Sequence, residues 1–163
     1  MPKVIDVHIG QIKIARNGQI LKAILGSCVG VGAIHARKNL CALAHCLLPK
    51  STSPTYTIGG RYVDQAFKSI LALLKVRASD IPDVSIIIAG GGNMTGKTSS
   101  STSALIGEQN SQSALKEAEK YGLNVTHSEI GGNFGRIIYV NSESFSYKIE
   151  NIPRLTESHL IKN

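Results

Sequence analysis

The chain has few aromatic side chains: no Trp, three Phe and five Tyr in 163 residues. Its 18 Lys and Arg outnumber its 11 Asp and Glu, which gives a formal charge of +7. These cations are scattered from Lys3 to Lys162, with no run of five. Scattered cations without aromatic platforms favour a generally solvated surface over a nucleic-acid interface, while an acidic protein surface stays open as a partner.

Cysteine is scarce as well, since the chain holds only Cys28, Cys41 and Cys46 and no CxxC pair. An odd number at this spacing argues against a disulfide framework and a zinc ribbon, so we expect a reducing cytoplasm. If residues 40–48 form a strand, His45 and Cys46 point to opposite faces and cannot share a metal. We therefore expect neither a metal nor another cofactor.

Long apolar runs are absent. The least polar stretch, residues 23–34, is shorter than the roughly 20 residues that a membrane-spanning helix needs, and it is interrupted by Ser27 and three glycines. The beginning of the chain has no basic region followed by an apolar one, so secretion and membrane insertion are disfavoured. We expect a single domain over residues 1–163, with 153–163 as a loose tail.

Several segments carry the patterns of strands. Apolar residues alternate in places within residues 3–14, and Asn17-Gly18 then predicts a hairpin turn with a return strand over 19–25. Residues 29–35 are small and apolar, which fits either a buried strand or a short helix. Residues 40–48 form another apolar segment, closed by Pro49.

The second half of the chain alternates helical and extended patterns. Apolar spacing predicts a helix over 62–76 and a second one over 110–121 that ends at Gly122. Residues 95–103 are rich in Ser and Thr and have the composition of a flexible loop. Strands are predicted over residues 84–89 and 125–130, and a strand or hairpin over 136–149.

A candidate nucleophile stands in Gly26-Ser27-Cys28, with His45 downstream. A thiol reacts as its thiolate, and an imidazole within reach supplies the base that makes the thiolate and the acid that protonates a leaving amine. Gly26 permits a tight turn whose backbone N–H groups could face an oxyanion. The alternative is that Cys28 and His45 pack in the core, where both residue types also occur.

Two glycine-rich segments are further candidates. Residues 91–98 match the phosphate-binding pattern GxxxxGK[ST], but the Ser/Thr run that follows is a poor start for the required helix. Residues 131–136, Gly-Gly-Asn-Phe-Gly-Arg, could present backbone amides or Asn133 to a carbonyl oxygen, although a glycine turn is ordinarily only a turn.

Six ordered blocks between about residues 7 and 146 resemble the CheD family, the chemoreceptor glutamine deamidases of bacterial and archaeal chemotaxis. The blocks are Leu25-Gly26-Ser27-Cys28-Val29, Ala44-His45 with Leu48-Pro49, Tyr62-Val63-Asp64, Gly90-Gly91-Gly92-Asn93-Met94, Ile106-Gly107-Glu108-Gln109-Asn110 and Gly131-Gly132-Asn133-Phe134-Gly135-Arg136. The phosphate-binding match then falls partly on a family glycine block that binds no nucleotide, and we interpret it as chance.

The resemblance implies an α/β (α+β) fold of mixed β-sheets packed as a sandwich with helices on the outside, similar to the catalytic domain of the cytotoxic necrotizing factor toxins. It also implies that Cys28 is the nucleophile and His45 the general base, acting on receptor glutamines through a thioester. The implied substrate is the cytoplasmic helices of chemoreceptors, and a CheC-type phosphatase of CheY is a possible partner.

One departure from the family pattern bears on activity. The family has a threonine before the Leu-Gly-Ser-Cys block that orients the histidine, whereas this chain has Leu21-Lys22-Ala23-Ile24 and no hydroxyl there. Ser27 and Asn133 are the candidates to orient the imidazole or to bind the oxyanion. The alternative is a catalytically weakened binding module that partners the CheC-type phosphatase.

Overall fold

The computed structural model describes residues 2–53, 57–95 and 102–153, which form nine strands and two α-helices. The strands are β1 Val4–Asp6, β2 Ile12–Ala15, β3 Ile20–Leu25, β4 Val29–His35, β5 Leu40–Cys46, β6 Ser85–Gly90, β7 Asn124–Ile130, β8 Gly135–Asn141 and β9 Ser146–Ile152. The helices are α1 Val63–Leu73 and α2 Thr102–Lys120. Within these described ranges no helix is both long and apolar enough to cross a membrane.

The strands form two mixed sheets. One has the order β1-β3-β8-β9 and the other the order β2-β5-β4-β6-β7. One apolar core lies between the sheets and includes Leu21, Leu43 and Ile138, and a second lies between the five-stranded sheet and the helices and includes Phe67 and Ile88. The predicted α+β sandwich is therefore confirmed, while the likeness to the necrotizing factor domain stays a prediction.

Small residues make β4 the buried centre of the five-stranded sheet, and all seven of its residues are buried. A Cβ added at Gly30 would lie 3.0 Å from Leu25, and one at Gly32 would lie 3.1 Å from Val140, both across the sheet interface. The two glycines thus let the sheets approach closely at this strand. Of the two structures that the sequence left open here, the strand is the one formed.

The predicted hairpin at Asn17-Gly18 is wrong. Both residues have positive φ, 55° and 84°, and they do make a turn. However, β2 pairs with β5 in one sheet, whereas β3 pairs with β1 and β8 in the other. Because β5 is buried along almost its whole length, it needs a hydrogen-bonded neighbour on each side, and β2 supplies the second one.

The helix predicted over residues 62–76 is confirmed as α1. The second helix begins at Thr102, eight residues before the predicted start. The prediction missed these residues because the first turns lack the apolar spacing that marked the rest of the helix. Its end is as predicted: Gly122 has φ 66°, and the amide of Leu123 donates to the carbonyl of Ala118. Residues 96–101 of the predicted loop and 154–163 of the predicted tail lie outside the described residues.

The remaining strand predictions are confirmed. The segments expected at residues 84–89 and 125–130 are β6 and β7, which pair in parallel. The segment expected at residues 136–149 is the antiparallel hairpin of β8 and β9. Parallel pairing of β6 and β7 requires a crossover connection, and α2 lies in that connection.

His35, the last residue of β4, is 1% exposed, and neither ring nitrogen has a hydrogen-bond partner among the described residues. Burial lowers the pKa of its imidazole below the usual value of 6.5, and the neighbouring charge of Lys38 lowers it further. The unfolded chain therefore binds this proton at a higher pH than the folded chain does. His35 then favours folding above pH 6.5, and this contribution is lost as the pH falls below that value.

We predict that His35→Leu makes the loss of stability between pH 7 and pH 5 smaller. A histidine that takes up its proton only on unfolding lowers the free energy of unfolding by up to about 1.4 kcal/mol per pH unit. Urea unfolding of both proteins across this range measures the difference. An identical pH dependence in the two proteins would contradict the prediction.

Candidate active site

The turn Gly26-Ser27-Cys28 joins β3 of one sheet to β4 of the other. All three of its carbonyls accept hydrogen bonds from outside the turn. The amide of Gly92 donates to Gly26 O at 2.9 Å, the amide of Gly91 donates to Cys28 O at 2.9 Å, and a side-chain amide of α2 donates to Ser27 O at 3.2 Å. The turn is therefore fixed on its carbonyl side.

The amide side of the same turn is free. No described oxygen accepts a hydrogen bond from the N–H groups of Ser27 or Cys28. Two adjacent N–H groups without an oxygen acceptor, next to a thiol, have the character of an oxyanion-binding site. The end of β6 approaches the turn so closely that glycine is required there. A Cβ at Gly90, where φ is 111°, would lie 2.2 Å from Cys28 O.

His45 lies on β5, the strand that pairs with β4. It is opposite Gly30, two residues from Cys28, and it is 4% exposed. Its Nδ1 lies 2.9 Å from the carbonyl oxygen of Val7, which can only accept a hydrogen bond, so Nδ1 carries the hydrogen. Nε2 is buried and has no partner among the described residues, so its lone pair is free to take a proton.

The connection from β1 to β2 presents the Val7 carbonyl to His45. The amide of Gly10 donates to His45 O at 2.8 Å, and the amide of His45 donates to Gln11 O at 2.9 Å. Within the connection, the amide of His8 donates to the side-chain oxygen of Gln11 at 2.9 Å. The backbone of His45 and its ring are therefore held by the same short segment.

Burial keeps the Cys28 thiol and the His45 imidazole neutral. Burial raises the pKa of the Cys28 thiol, although its own backbone amide partly offsets this. Burial lowers the pKa of His45, opposed by the hydrogen bond to Val7. At pH 7 the site thus holds a thiol and an uncharged imidazole, and the free Nε2 means that Sγ and the imidazole are not hydrogen-bonded. Such bonds are often long in ligand-free enzymes and shorten when substrate binds.

A cavity of about 390 Å³ leads to His45, and Lys22, Ile24 and Val7 also line it. Lys22 lies within the stretch where the family pattern expects a threonine, and its Nζ lies 6.0 Å from the ring centre of Tyr139. Ala23 is buried between the sheets. Neither residue contributes a hydroxyl, and the hydrogen bond that fixes the His45 ring comes from a backbone carbonyl that sequence reasoning missed.

Asn133 and His45 line different cavities. Asn133 is exposed and lines a different cavity of about 510 Å³, together with Gly91, Glu108 and Gly132. The Ser27 side chain makes no hydrogen bond to His45 among the described residues, and its carbonyl is bonded to α2. The roles predicted for Ser27 and Asn133 stay predictions.

The amides of the glycine block after β6 are already in use. The N–H groups of Gly91 and Gly92 donate to the turn that contains Cys28, and that of Asn93 donates to Gly132 O at 2.8 Å. A phosphate-binding loop needs such amides to point at the phosphates. The described part of this segment therefore cannot form the cradle that its letters suggest. Among the described residues, no three His, Cys, Asp or Glu side chains are grouped in a way that could hold a metal ion.

Comparisons with known proteins identify the family. Residues 47–151 match the family model described as CheD chemotactic sensory transduction. The chain belongs to the CheD family. It is similar to a probable chemoreceptor glutamine deamidase CheD 2 from Ruegeria sp. (strain TM1040), with 35% identity over 93% of each chain.

Other CheD relatives are similar over comparable lengths. The probable chemoreceptor glutamine deamidase CheD of Bdellovibrio bacteriovorus is 34% identical over 94% of this chain and 98% of its own. The protein of the same name from Methanococcus maripaludis (strain C5) is 28% identical over 90% and 94%. The whole-length matches confirm the resemblance that the six sequence blocks indicated.

We predict that an alkylating reagent labels Cys28 before Cys41 and Cys46. Cys28 is 6% exposed and the other two are 0% exposed, and burial raises the pKa of Cys41 to about 12 and that of Cys46 further still. Because the Cys28 thiol is neutral at rest, its labelling rate should keep rising above pH 8. Peptide mapping after timed alkylation measures both, and equal labelling of the three cysteines would contradict the prediction.

We also predict that His45 carries its hydrogen on Nδ1 at pH 7, because the Val7 carbonyl accepts it. Two-dimensional ¹⁵N NMR of the imidazole distinguishes a protonated Nδ1 from a protonated Nε2. Gln11→Leu removes the acceptor that holds the Val7 segment and should produce a mixture of tautomers. A protonated Nε2 in the unchanged protein would contradict the prediction.

Proposed function

We propose that this CheD protein hydrolyses the side-chain amide of specific glutamines on methyl-accepting chemotaxis receptors, giving glutamate and ammonia. The names of its relatives support the substrate. The observation that carries the chemistry is the hydrogen bond from His45 Nδ1 to Val7, which leaves Nε2 without a partner and able to act as a base. His45 pairs with Gly30, two residues after Cys28, on the neighbouring strand.

In the first half-reaction Nε2 of His45 takes the thiol proton as Cys28 Sγ attacks the carboxamide carbon. The amide oxygen becomes an oxyanion, which the free N–H groups of Ser27 and Cys28 stabilise. The protonated imidazole then gives its proton to the departing nitrogen, so ammonia leaves and a thioester remains on Cys28.

In the second half-reaction water attacks the thioester carbon while His45 takes one of its protons. The carbon–sulfur bond breaks, the imidazole returns the proton to Sγ, and the product is a glutamate side chain. A new carboxylate in a receptor helix changes the local charge and provides a site for methylation. This reaction needs no cofactor.

The neutral resting state fits a protein that meets its substrate on another macromolecule. A buried thiol in its protonated form reacts slowly with small electrophiles and with oxidants. Substrate binding excludes water from the site and brings the base and the thiol together, so the thiol reacts faster in the bound complex than at rest. The proposed location of this encounter is the cytoplasm, where receptor helices are exposed.

The alternative, a binding module that partners a CheC-type phosphatase of CheY, rests on the absence of a hydroxyl in residues 21–24. The Val7 carbonyl weakens that reason, because it can supply the orienting hydrogen bond that the missing threonine would make. Binding to such a phosphatase remains compatible with catalysis.

We predict that the protein converts glutamine to glutamate in a chemoreceptor fragment and that Cys28→Ala abolishes the conversion. Loss of the nucleophile should lower kcat by about 10⁴-fold or more, and His45→Gln, which removes the base, by about 10²-fold to 10⁴-fold. Peptide mass spectrometry of the fragment and an assay of released ammonia measure the same reaction independently.

Cys41→Ala is the matched control, since Cys41 is also a buried cysteine but lies on β5 at the end far from His45. It should keep wild-type activity if the protein remains folded. Failure of the wild-type protein on a receptor that another CheD protein modifies would reject catalysis, and the binding module would become the leading account.

A further inference from the structure

Asn110, in the middle of α2, bridges the two chain segments that carry Cys28 and His45. Its side chain is 0% exposed. The Nδ2 group donates to Ser27 O at 3.2 Å and to Leu47 O at 3.0 Å. Ser27 directly precedes the nucleophile, and Leu47 is two residues after the base, so one side-chain amide spans the site.

The bridge lies where the strand pairing stops. The β4–β5 ladder runs from the pair of His35 and Leu40 to the pair of Val29 and Cys46, and continues no further. Beyond it the chain bends at Cys28, and no ladder hydrogen bond fixes the separation of the two segments. The two donors of Asn110 make that connection instead, from a helix that packs on the same sheet.

Asn110 is only partly satisfied as a buried polar residue. Its Oδ1 is buried and has no partner among the described residues, and an orphaned buried acceptor is costly. An apolar residue of similar volume would avoid this penalty but would remove the hydrogen bonds to Ser27 O and Leu47 O, so the asparagine keeps those two bonds at the cost of one unsatisfied oxygen. Ser113 lies one turn further along α2 and has no unsatisfied side-chain atom, because its hydroxyl donates to Pro49 O at 3.2 Å.

We propose that Asn110 is a positioning residue that sets the alignment of the Cys28 thiol with the His45 imidazole by tying both backbones to α2. It touches no substrate and acts through the carbonyls of Ser27 and Leu47. The proposal rests on the assignment of Cys28 as nucleophile and His45 as base. It adds α2 to the elements that determine the geometry of the site.

The test compares Asn110→Leu, which has similar volume but lacks both donors, with Ser113→Ala, which removes a hydrogen bond from the same helix to a loop carbonyl away from Cys28. Misplacement of reacting groups by about 1 Å costs about 10²-fold in rate. We expect Asn110→Leu to lower kcat for receptor deamidation by about 10²-fold with KM within about twofold. Ser113→Ala should keep wild-type kcat.

A second measurement needs no receptor. The alkylation rate of Cys28 by iodoacetamide is measured in wild type, His45→Gln, Asn110→Leu and the double variant. If Asn110 aligns the base with the thiol, His45→Gln slows alkylation when Asn110 is present. It has no further effect on the alkylation rate when Asn110 is already replaced by Leu. Additive effects would show that Asn110 does not act through His45 and would overturn the proposal.

The two measurements separate the two claims. A non-additive cycle in a protein that deamidates no receptor would reject the proposed function and retain the role of Asn110. If Asn110→Leu does not fold, Asn110→Ala serves in its place, since it removes both donors and needs no additional space. Wild-type kcat in a folded Asn110 variant would also overturn the proposal.

Discussion

The hydrogen bond from His45 Nδ1 to the carbonyl of Val7 is the interaction on which the chemistry of this CheD protein depends. It decides which ring nitrogen carries the hydrogen and therefore which one is available as the base of the proposed reaction. The bond forms only because the β1–β2 connection crosses the end of the sandwich and holds the His45 backbone on both sides. The two-sheet architecture thus fixes an imidazole that no nearby hydroxyl orients.

The turn that bears Cys28, the proposed nucleophile, is fixed as well. The chain passes from one sheet to the other at Gly26-Ser27-Cys28, and the glycines after β6 and the helix α2 take up every carbonyl of that turn. Its amides remain available for the oxyanion of the proposed reaction. Burial keeps the thiol and the imidazole neutral, so in the proposed reaction the energetic cost of charge separation arises in the bound complex rather than at rest.

Much of the fold was predictable, because alternation and helical spacing are local. α1, the β8–β9 hairpin and the end of α2 at Gly122 followed from such patterns. The partner of β2 did not, since Asn17-Gly18 predicts a turn but does not determine which sheet each strand joins. Cys28 and His45 could be identified as candidates because a thiol and an imidazole are side chains with a known chemistry. The Val7 carbonyl had no signal in the sequence, because any residue presents one, and Asn110 was visible only as part of a family block.

The central claim, that Cys28 forms a covalent thioester with the substrate and His45 moves the protons, is tested most directly by trapping the intermediate. The protein is mixed with a receptor fragment, quenched in acid during turnover and analysed by mass spectrometry, with Cys28→Ala as the control that cannot form the thioester. The account predicts a peptide containing Cys28 joined to the receptor peptide at the modified glutamine. Full turnover without that adduct, together with full turnover by Cys28→Ala, would contradict the account.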